Sequence, residues 1–118
     1  MSSTPSRPTE KIHVPNPRFV GEQDGPFERT LKDQLVAEFL RGRKVNRAYL
    51  ARADYGDGKI VVILGLRAEK DMERKLVDAV GAIFAAIFGA EQHLDIFFLT
   101  NQIEDQLVKV CNPFFRNP

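Results

Sequence analysis

Apolar and polar residues alternate along positions 45–66 in two runs that flank a glycine-rich centre. This pattern predicts an antiparallel hairpin whose type I′ turn is made by Asp57 and Gly58, because these residue types tolerate the positive backbone angles of that turn. In the predicted register Tyr49 pairs with Leu66. The register places eight apolar residues on one face: Tyr49, Ala51, Ala53, Tyr55, Ile60, Val62, Leu64 and Leu66.

The opposite face of the predicted hairpin mixes apolar and charged positions. Leu50, Val61 and Ile63 lie there beside Arg52 and Asp54. Because side chains alternate between the two faces of a strand, one face forms a core while this second face still carries apolar area. We therefore expect a further layer of protein to cover it.

Apolar residues recur every three or four positions in three other stretches, and this spacing predicts three helices. The first helix begins at Pro26, where a missing backbone N–H is not needed, and ends at Gly42. The second helix ends at Gly89. The third begins after Thr100 or Asn101, since both residue types are good N-caps.

The predicted elements follow the order helix, strand, strand, helix, strand, helix, with a short apolar strand at 94–99. A strand, helix, strand connection makes its two strands parallel and packs the helix on the sheet. The sequence therefore predicts an α+β fold, a small two-layer sandwich with a mixed sheet of about three strands and helices mainly on one face. We expect one domain at 26–118 after a flexible segment rich in proline and serine at 1–25. Phe19 and Val20 of that segment are able to dock as a short fourth strand.

The second predicted helix is apolar on nearly all sides, because a set of alanines lies beside its stripe of larger apolar residues. Such a helix is usually covered on more than one side. We therefore predict a homodimer, since two-fold pairs dominate among small oligomers. The candidate interface residues are Leu50, Val61, Ile63, Ala79, Ala82, Ala86 and Phe97. The alternative is a monomer whose last helix, N-terminal segment and Phe114 and Phe115 cover the same area.

Short motifs in a fixed order resemble a known family. They are Val45, the run from Ala48 to Ala51, the run from Ala79 to Gly81, the run from Leu94 to Ile96 and the run from Pro113 to Phe115. Together they resemble the C-terminal domain of the bacterial enhanced-serine-sensitivity (SseB-like) proteins over roughly residues 28–116. The resemblance implies a bacterial protein of that family, and it assigns no catalytic or binding residue to this chain.

The composition narrows the classes of partner. The chain has 118 residues, 43% of them apolar and 28% charged, so one domain has enough material for a core. A formal net charge of +1 gives no bulk attraction to nucleic acid or to an anionic membrane. The longest apolar run, 79–90, is shorter than the roughly 20 residues of a spanning helix, and the N-terminus has no signal-peptide pattern. We therefore expect a cytoplasmic protein without nucleic-acid or membrane partners.

One cysteine and two histidines are the candidates for catalysis. Cys111 lies in the apolar stripe of the last predicted helix, a usual position for a small buried residue, and a single cysteine fits a reducing compartment. His93 follows a helix C-terminus, where a cation is favoured, and His13 is distant in sequence. A Cys–His pair requires the two side chains within hydrogen-bonding distance and a lowered thiol pKa. An enzyme using Cys111 is therefore the last of three functional hypotheses.

The remaining acidic and glycine residues have structural explanations. Asp57 is explained by the turn and Asp54 by a cross-strand or diagonal pairing with Arg52 or Arg47, so paired carboxylates or a metal site with Asp95 are not needed to explain them. Two distant histidines give no zinc-binding spacing, and we predict neither a metal nor a cofactor. Gly56 and Gly58 precede a strand, whereas a phosphate-binding loop precedes a helix.

The densest run of positive charge is formed by Arg41, Arg43, Lys44 and Arg47. It follows the end of the first predicted helix, where the helix dipole stabilises cations, and it lacks interleaved aromatic residues that would stack on bases. We interpret it as a solvated helix end, with an anion or nucleic-acid site as the alternative.

The first functional hypothesis is a non-enzymatic module for protein association, most simply with a second copy of itself. It rests on the surplus of apolar surface beside the lack of a catalytic pattern. The second hypothesis is a small-molecule sensor, for example of an amino acid, with a pocket between the sheet and the first helix. The candidate ligand-binding residues are Tyr49, Tyr55, Arg47 and Arg52.

Overall fold

Five strands and three helices make up the described part of the chain. The structure is a computed structural model, and the residues it describes are 17–42, 44–56, 58–89 and 91–117. In chain order the elements are β1 (Arg18–Glu22), α1 (Pro26–Gly42), β2 (Val45–Asp54), β3 (Ile60–Ala68), α2 (Glu73–Phe88), β4 (Asp95–Phe98), α3 (Asn101–Leu107) and β5 (Phe115–Arg116). The bounds of α1 and the end of α2 at Gly89 agree with the predicted helix signals.

The sheet has the strand order β1-β2-β3-β4. β1, β2 and β3 are antiparallel neighbours, whereas β4 runs parallel to β3. β3 pairs along the whole of β2, so β5 shares the other edge of β2 with β1. The α+β class, the mixed sheet and the parallel β3-α2-β4 unit are thereby confirmed. The sheet is wider than the three strands predicted, because β1 adds the fourth strand that the prediction left open and β5 has only two residues, too few to show a periodic apolar pattern.

Residues 18–22 form β1 at the edge of the sheet, and they contain Phe19 and Val20, which were expected to be able to dock as a short fourth strand. Phe19 is buried in the same apolar cluster as Leu107, and β1 pairs with β2 through a backbone ladder. A buried aromatic ring and a hydrogen-bonded backbone therefore compensate for the low apolar content of this segment. Residues 1–16 lie outside the described part of the chain.

The predicted hairpin forms, but its register differs from the prediction by one residue. Tyr49 pairs with Gly65 where Leu66 was expected, and Ala51 no longer lies opposite Leu64. The tyrosine side of β2 and the Leu64 side of β3, which we expected on one face, therefore lie on opposite faces. Both faces are covered by helices, so neither register leaves a wholly apolar face in water, and the alternation pattern cannot select between them.

β2 ends at Asp54 and β3 begins at Ile60, so a loop of five residues, 55–59, stands where a two-residue turn was predicted. Gly56 and Gly58 adopt positive φ angles of 98° and 81° in this loop, which glycine accommodates without a Cβ clash. Asp57, the other predicted turn residue, lies outside the described residues. The glycines thus located the connection between β2 and β3 correctly. The predicted connection was too short, and the predicted register is wrong by one residue.

Helices cover both faces of the sheet, and mainly one of them, as predicted. α1 and α2 pack on the first face, where the larger core contains Leu31, Leu35, Phe39, Val45, Ala48, Leu50, Leu64, Leu66, Leu76, Val80 and Phe115. α3 packs on the second face, where the smaller core contains Phe19, Tyr49, Ala51, Ala53, Ile63, Leu99, Leu107 and Cys111. The second face is the one that carries the polar network described next.

Candidate functional site

A charged side chain lies at the interface between α3 and the sheet. Thr100 begins α3 as its N-cap, and its hydroxyl accepts a hydrogen bond from the backbone N–H of Ile103 at 3.2 Å. This start places Glu104 three residues before Leu107, so both side chains project from the same side of the helix. Glu104 is the one charged residue that is buried within the described part of the chain, with 7% of its surface exposed.

Arg47 and Tyr49 hold the buried carboxylate of Glu104. They lie two residues apart on β2, so their side chains share the face that α3 covers. The Nε and Nη2 atoms of Arg47 donate to the two carboxylate oxygens at 2.5 and 2.9 Å, and the Tyr49 hydroxyl donates to Oε2 at 2.6 Å. This is a bidentate ion pair reinforced by a third hydrogen bond, the strongest arrangement available to a carboxylate among side chains.

The pKa shifts of the three groups follow from these contacts. Hydrogen bonding to Arg47 lowers the pKa of Glu104 to about 2, so its carboxylate is ionised throughout the physiological range. Burial, together with the contact to Glu104, raises the pKa of Tyr49 to about 12, so its hydroxyl stays protonated and donates. The same pairing raises the pKa of Arg47 above its ordinary value. The network is thus one ion pair plus one neutral donor, and its protonation is fixed near neutral pH.

Two more arginines lie beside Arg47. Its direct cross-strand partners are Arg67 on β3 and Arg116 on β5. The Nη1 of Arg67 lies 3.8 Å from Glu104 Oε1 and donates to the carbonyl of Leu99 at 3.3 Å. We call Arg116, Arg47 and Arg67 the arginine row. It crosses three strands on the α3 side of the sheet.

A cleft of about 360 Å³ adjoins the arginine row at the junction of β3, β4 and α3. Arg67 belongs to both, since its guanidinium also donates to the side-chain oxygen of Asn101 at the start of α3. The other lining residues are Ala68, Lys70, Glu73, Phe98, Leu99 and Thr100. Charged and hydroxyl groups therefore line much of this cleft.

A second polar cluster ties the hairpin loop to β4. The Tyr55 hydroxyl donates to Asp95 Oδ2 at 3.0 Å, and the Nε2 of His93 contacts the other carboxylate oxygen. Burial and the nearby Asp95 charge raise the pKa of Tyr55. The Tyr55 ring also lies 6.3 Å from that of Phe97. The cluster anchors the loop, and it explains Asp95, which the sequence left without a partner.

An apolar surface continues from α2 to the edge of the sheet. A shallow cleft of about 280 Å³ runs between the second half of α2 and β4, lined by Val80, Gly81, Phe84, Ala85, Gly89, Gln92, His93, Leu94 and Ile96. The Phe84 ring stacks on Phe88 at 4.7 Å, and Phe88 lies 6.1 Å from Phe27. Phe27 is 63% exposed, so this aromatic row reaches the solvent.

The predicted ligand-binding residues do not form one pocket. Arg47 and Tyr49 meet at Glu104, but Tyr55 belongs to the separate Asp95 cluster. Arg52 is exposed beside Gly21 at β1, where an added Cβ would lie 2.8 Å from its Nη2. The prediction of a pocket between the sheet and the first helix is wrong for Tyr49, whose side chain lies on the α3 face.

The predicted interface residues also separate into groups. Leu50 and Ile63 are at most 1% exposed inside the chain's own cores, so they have no surface to offer a partner. Val61, Ala79 and Phe97 are half-buried. The fully exposed members are Ala82 and Ala86, which lie on the outer side of α2.

Sequence reasoning missed the residue at the centre of the site. Glu104 falls between Ile103 and Leu107, within the apolar stripe of the third predicted helix, and a charge in such a position is the signal that it is buried. Arg67 and Arg116 were missed because a lone arginine in a strand has no pattern. Their positions directly opposite Arg47 follow only from the strand register.

The predicted basic run beyond α1 is divided by the fold. Arg47 turns inward to Glu104, whereas Arg41 pairs with Glu38 on the same helix and Lys44 lies 4.0 Å from Glu69. Arg43 lies outside the described residues. Arg41 and Lys44 therefore have local partners near the end of α1, whereas Arg47 belongs to the arginine row.

The environment of Cys111 is typical of a buried structural cysteine and not of a nucleophile. Its thiol is buried and lies 3.4 Å from the carbonyl oxygens of Leu50 and Asn112. Burial raises the pKa of Cys111 to about 11, so the thiol is protonated near neutral pH and is a poor nucleophile. His93, the proposed partner, contacts Asp95 instead, and His13 lies outside the described residues.

The described residues contain neither a metal-binding cluster nor a membrane-spanning helix. Among residues 17–117, apart from the few positions the structure leaves undescribed, no three His, Cys, Asp or Glu side chains are grouped to hold a metal ion. Within the same described ranges, no helix has the length and apolar content needed to cross a membrane.

These features define a small α+β domain with a mixed sheet, a buried arginine–tyrosine–glutamate network on one face and an apolar edge. The model of the SseB protein C-terminal domain family matches residues 25–117, and the chain belongs to that family. This confirms the resemblance carried by the short motifs. Searches of curated proteins and of solved structures returned no match.

Proposed function

We propose that this SseB-family domain is a protein-association module that pairs with a second copy of itself through β4 and the outer side of α2. The observation that carries the proposal is that β4 ends the described sheet directly beside exposed apolar residues of α2. A strand edge without a neighbour and an adjoining apolar cleft together provide both backbone and side-chain contacts for a partner.

The outer edge of β4 supplies the backbone contacts. The N–H of Leu99, just after β4, donates to the carbonyl of Leu66 at 2.8 Å. Because backbone groups alternate in direction along a strand, the N–H groups of Ile96 and Phe98 point away from β3. They are available to the same strand of a second copy in antiparallel pairing around a two-fold axis.

The outer side of α2 supplies the side-chain contacts. Gly81, Ala82, Ala85 and Ala86 are exposed there, and small residues let a second helix approach closely. Phe84 borders the cleft and continues the aromatic row towards the exposed Phe27. Burying this area in a dimer removes apolar surface from water, the main driving force of association.

Light scattering with a matched pair of variants tests the proposal. We expect the wild-type protein at micromolar concentration to show twice the 13.4 kDa mass of one chain. Ala85→Glu places a charge in the cleft and is expected to give the single-chain mass, whereas Ala37→Glu, an exposed alanine of α1, is expected to leave the dimer intact. A wild-type mass of one chain, or equal behaviour of both variants, overturns the proposal.

A non-enzymatic role and a location in the bacterial cytoplasm belong to the same proposal. The protonated, buried Cys111 supports the non-enzymatic role, because it leaves the enzyme hypothesis without its nucleophile. The single free thiol supports the cytoplasmic location, because reducing compartments keep thiols unpaired.

A further inference from the structure

The arginine row brings three like charges together across the sheet. Arg47 lies directly opposite Arg67 on one side and Arg116 on the other. Residues directly opposite in antiparallel strands have their side chains on the same face, and neighbouring strands are only about 4.8 Å apart. Like charges in such positions destabilise a sheet, so their presence requires a compensating interaction.

Glu104 compensates for only part of this charge. Its carboxylate binds Arg47 in two places and lies 3.8 Å from Arg67. No other ion pair involving the arginine row is found in the described residues, and Arg116 has none. The row therefore keeps an excess of two positive charges next to a buried negative one.

The arginine row is partly exposed and keeps hydrogen-bond donors that the described residues do not use. The Arg47 and Arg67 side chains are 35% and 28% exposed, and Arg116 is exposed at the end of the sheet. The Nη1 group of Arg47 and the Nε of Arg67 make no hydrogen bond within the described part of the chain. A guanidinium has five N–H donors in a fixed plane, so a ligand is able to bind each arginine without displacing Glu104.

We propose that the arginine row binds the phosphate group of a small molecule. A phosphate monoester carries nearly two negative charges at neutral pH and accepts hydrogen bonds at three oxygens, which matches the excess charge and the free donors of the row. The rest of the ligand extends into the adjoining cleft of about 360 Å³, where Lys70 adds a cation and Glu73 a carboxylate. Glu104 is a positioning residue that holds Arg47 for the ligand.

The test is a titration with pyrophosphate and inorganic phosphate at constant ionic strength, followed by the NMR signals of backbone amides and arginine Nε–H groups. Saturable shifts centred on Arg47, Arg67 and Arg116 are expected. Arg116→Gln is expected to weaken binding about tenfold, because it removes a charge-assisted contact. Arg74→Gln, an exposed arginine of α2, removes the same charge and is expected to leave the affinity unchanged.

Two further arms make the result decisive. Arg116→Lys keeps the charge but loses the planar donor pair, and we expect an affinity between those of wild type and Arg116→Gln. Succinate in place of phosphate tests a carboxylate ligand and is expected to bind more weakly. Non-saturable shifts, equal weakening by Arg116→Gln and Arg74→Gln, or tighter binding of succinate overturns the proposal. The three arginines lie on β5, β2 and β3 and none belongs to β4 or α2, so a failure of phosphate binding leaves the dimer proposal standing.

Discussion

The α3 face of the sheet and its β4 edge differ in whether the described residues satisfy and cover their groups. On the α3 face a charge is buried, and every oxygen of the Glu104 carboxylate has a donor from Arg47 or Tyr49. At the β4 edge no described residue covers the apolar side chains and the outward backbone groups. The groups of the first region are satisfied within the described residues, whereas the second region is where we propose that a second copy binds.

The contrast separates residues that determine the stability of the fold from residues that are available for association. The polar network costs desolvation but is internally satisfied, so it fixes how α3 sits on the sheet. The β4 and α2 surface has no such network, and under the dimer proposal its contacts depend on protein concentration. Variants on the α3 face should therefore change the free energy of unfolding, while variants on the outer side of α2 should change association.

The largest expected effect comes from Glu104→Gln. It leaves Arg47 without its anionic partner at a buried site, and removing one member of a buried ion pair costs about 3–5 kcal/mol. We expect the lower end of that range, about 3 kcal/mol, because the Arg47 side chain is 35% exposed and regains water. Urea denaturation at one fixed protein concentration measures the loss.

Asp105→Asn is the matched control for Glu104→Gln. Asp105 is the next residue on α3 and is exposed, so a change of at most about 0.5 kcal/mol is expected. Equal stability of the two variants would show that the network does not hold α3, and the contrast between the two regions would fail.

A pH dependence of similar size follows from the lowered pKa of Glu104. The folded value of about 2 lies below the ordinary value of 4.5, so ionised Glu104 stabilises the fold above pH 4.5 and this contribution is lost as the pH falls towards 2. The difference in unfolding free energy between wild type and Glu104→Gln should shrink by about 3 kcal/mol over that window. The lowered pKa values of Asp24 and Asp54 affect both proteins and cancel in this difference.

The smallest expected effect concerns the close approach of α3 to β3. Gly65 lies opposite Tyr49, and a Cβ there would meet Leu107 Cδ2 at 3.1 Å and Leu99 Cδ2 at 3.2 Å. Gly65→Ala should therefore destabilise the protein by about 1 kcal/mol through overpacking. Gly42→Ala, which meets no atom within 4 Å, should be neutral or slightly stabilising in a thermal melt. A stabilising Gly65→Ala would mean that α3 packs less tightly than described.

Much of the fold was predictable because long helices and the hairpin have strong local signals. Pro26 marks a helix start because its fixed φ suits the first helical position, and Gly89 marks a helix end because glycine accommodates its φ of 94°. The register was not predictable, because both faces of the hairpin are buried and the alternation of β2 and β3 allows either choice. β5, with two residues, carries no period at all, and β1 has only Phe19 and Val20 as large apolar residues.

The candidate site was predictable only in part. Arg47 and Tyr49 were among the four candidate ligand-binding residues, but they were expected on the side of the first helix and lie on the α3 face. Their joint partner Glu104 is 55 residues from Tyr49 in the chain, and nothing local links them. Arg116 joins the row through a two-residue strand that pairs with β2, which depends on the final tertiary structure.

Amide hydrogen exchange in β4 tests the central contrast most directly. The N–H of Phe97 points towards β3 and should be protected in every case, so it is the internal control. If β4 pairs with a second copy, the amides of Ile96 and Phe98 are also protected in the wild-type protein and lose this protection in Ala85→Glu. Rapid exchange of both amides in the wild type at concentrations where Phe97 stays protected would contradict the account.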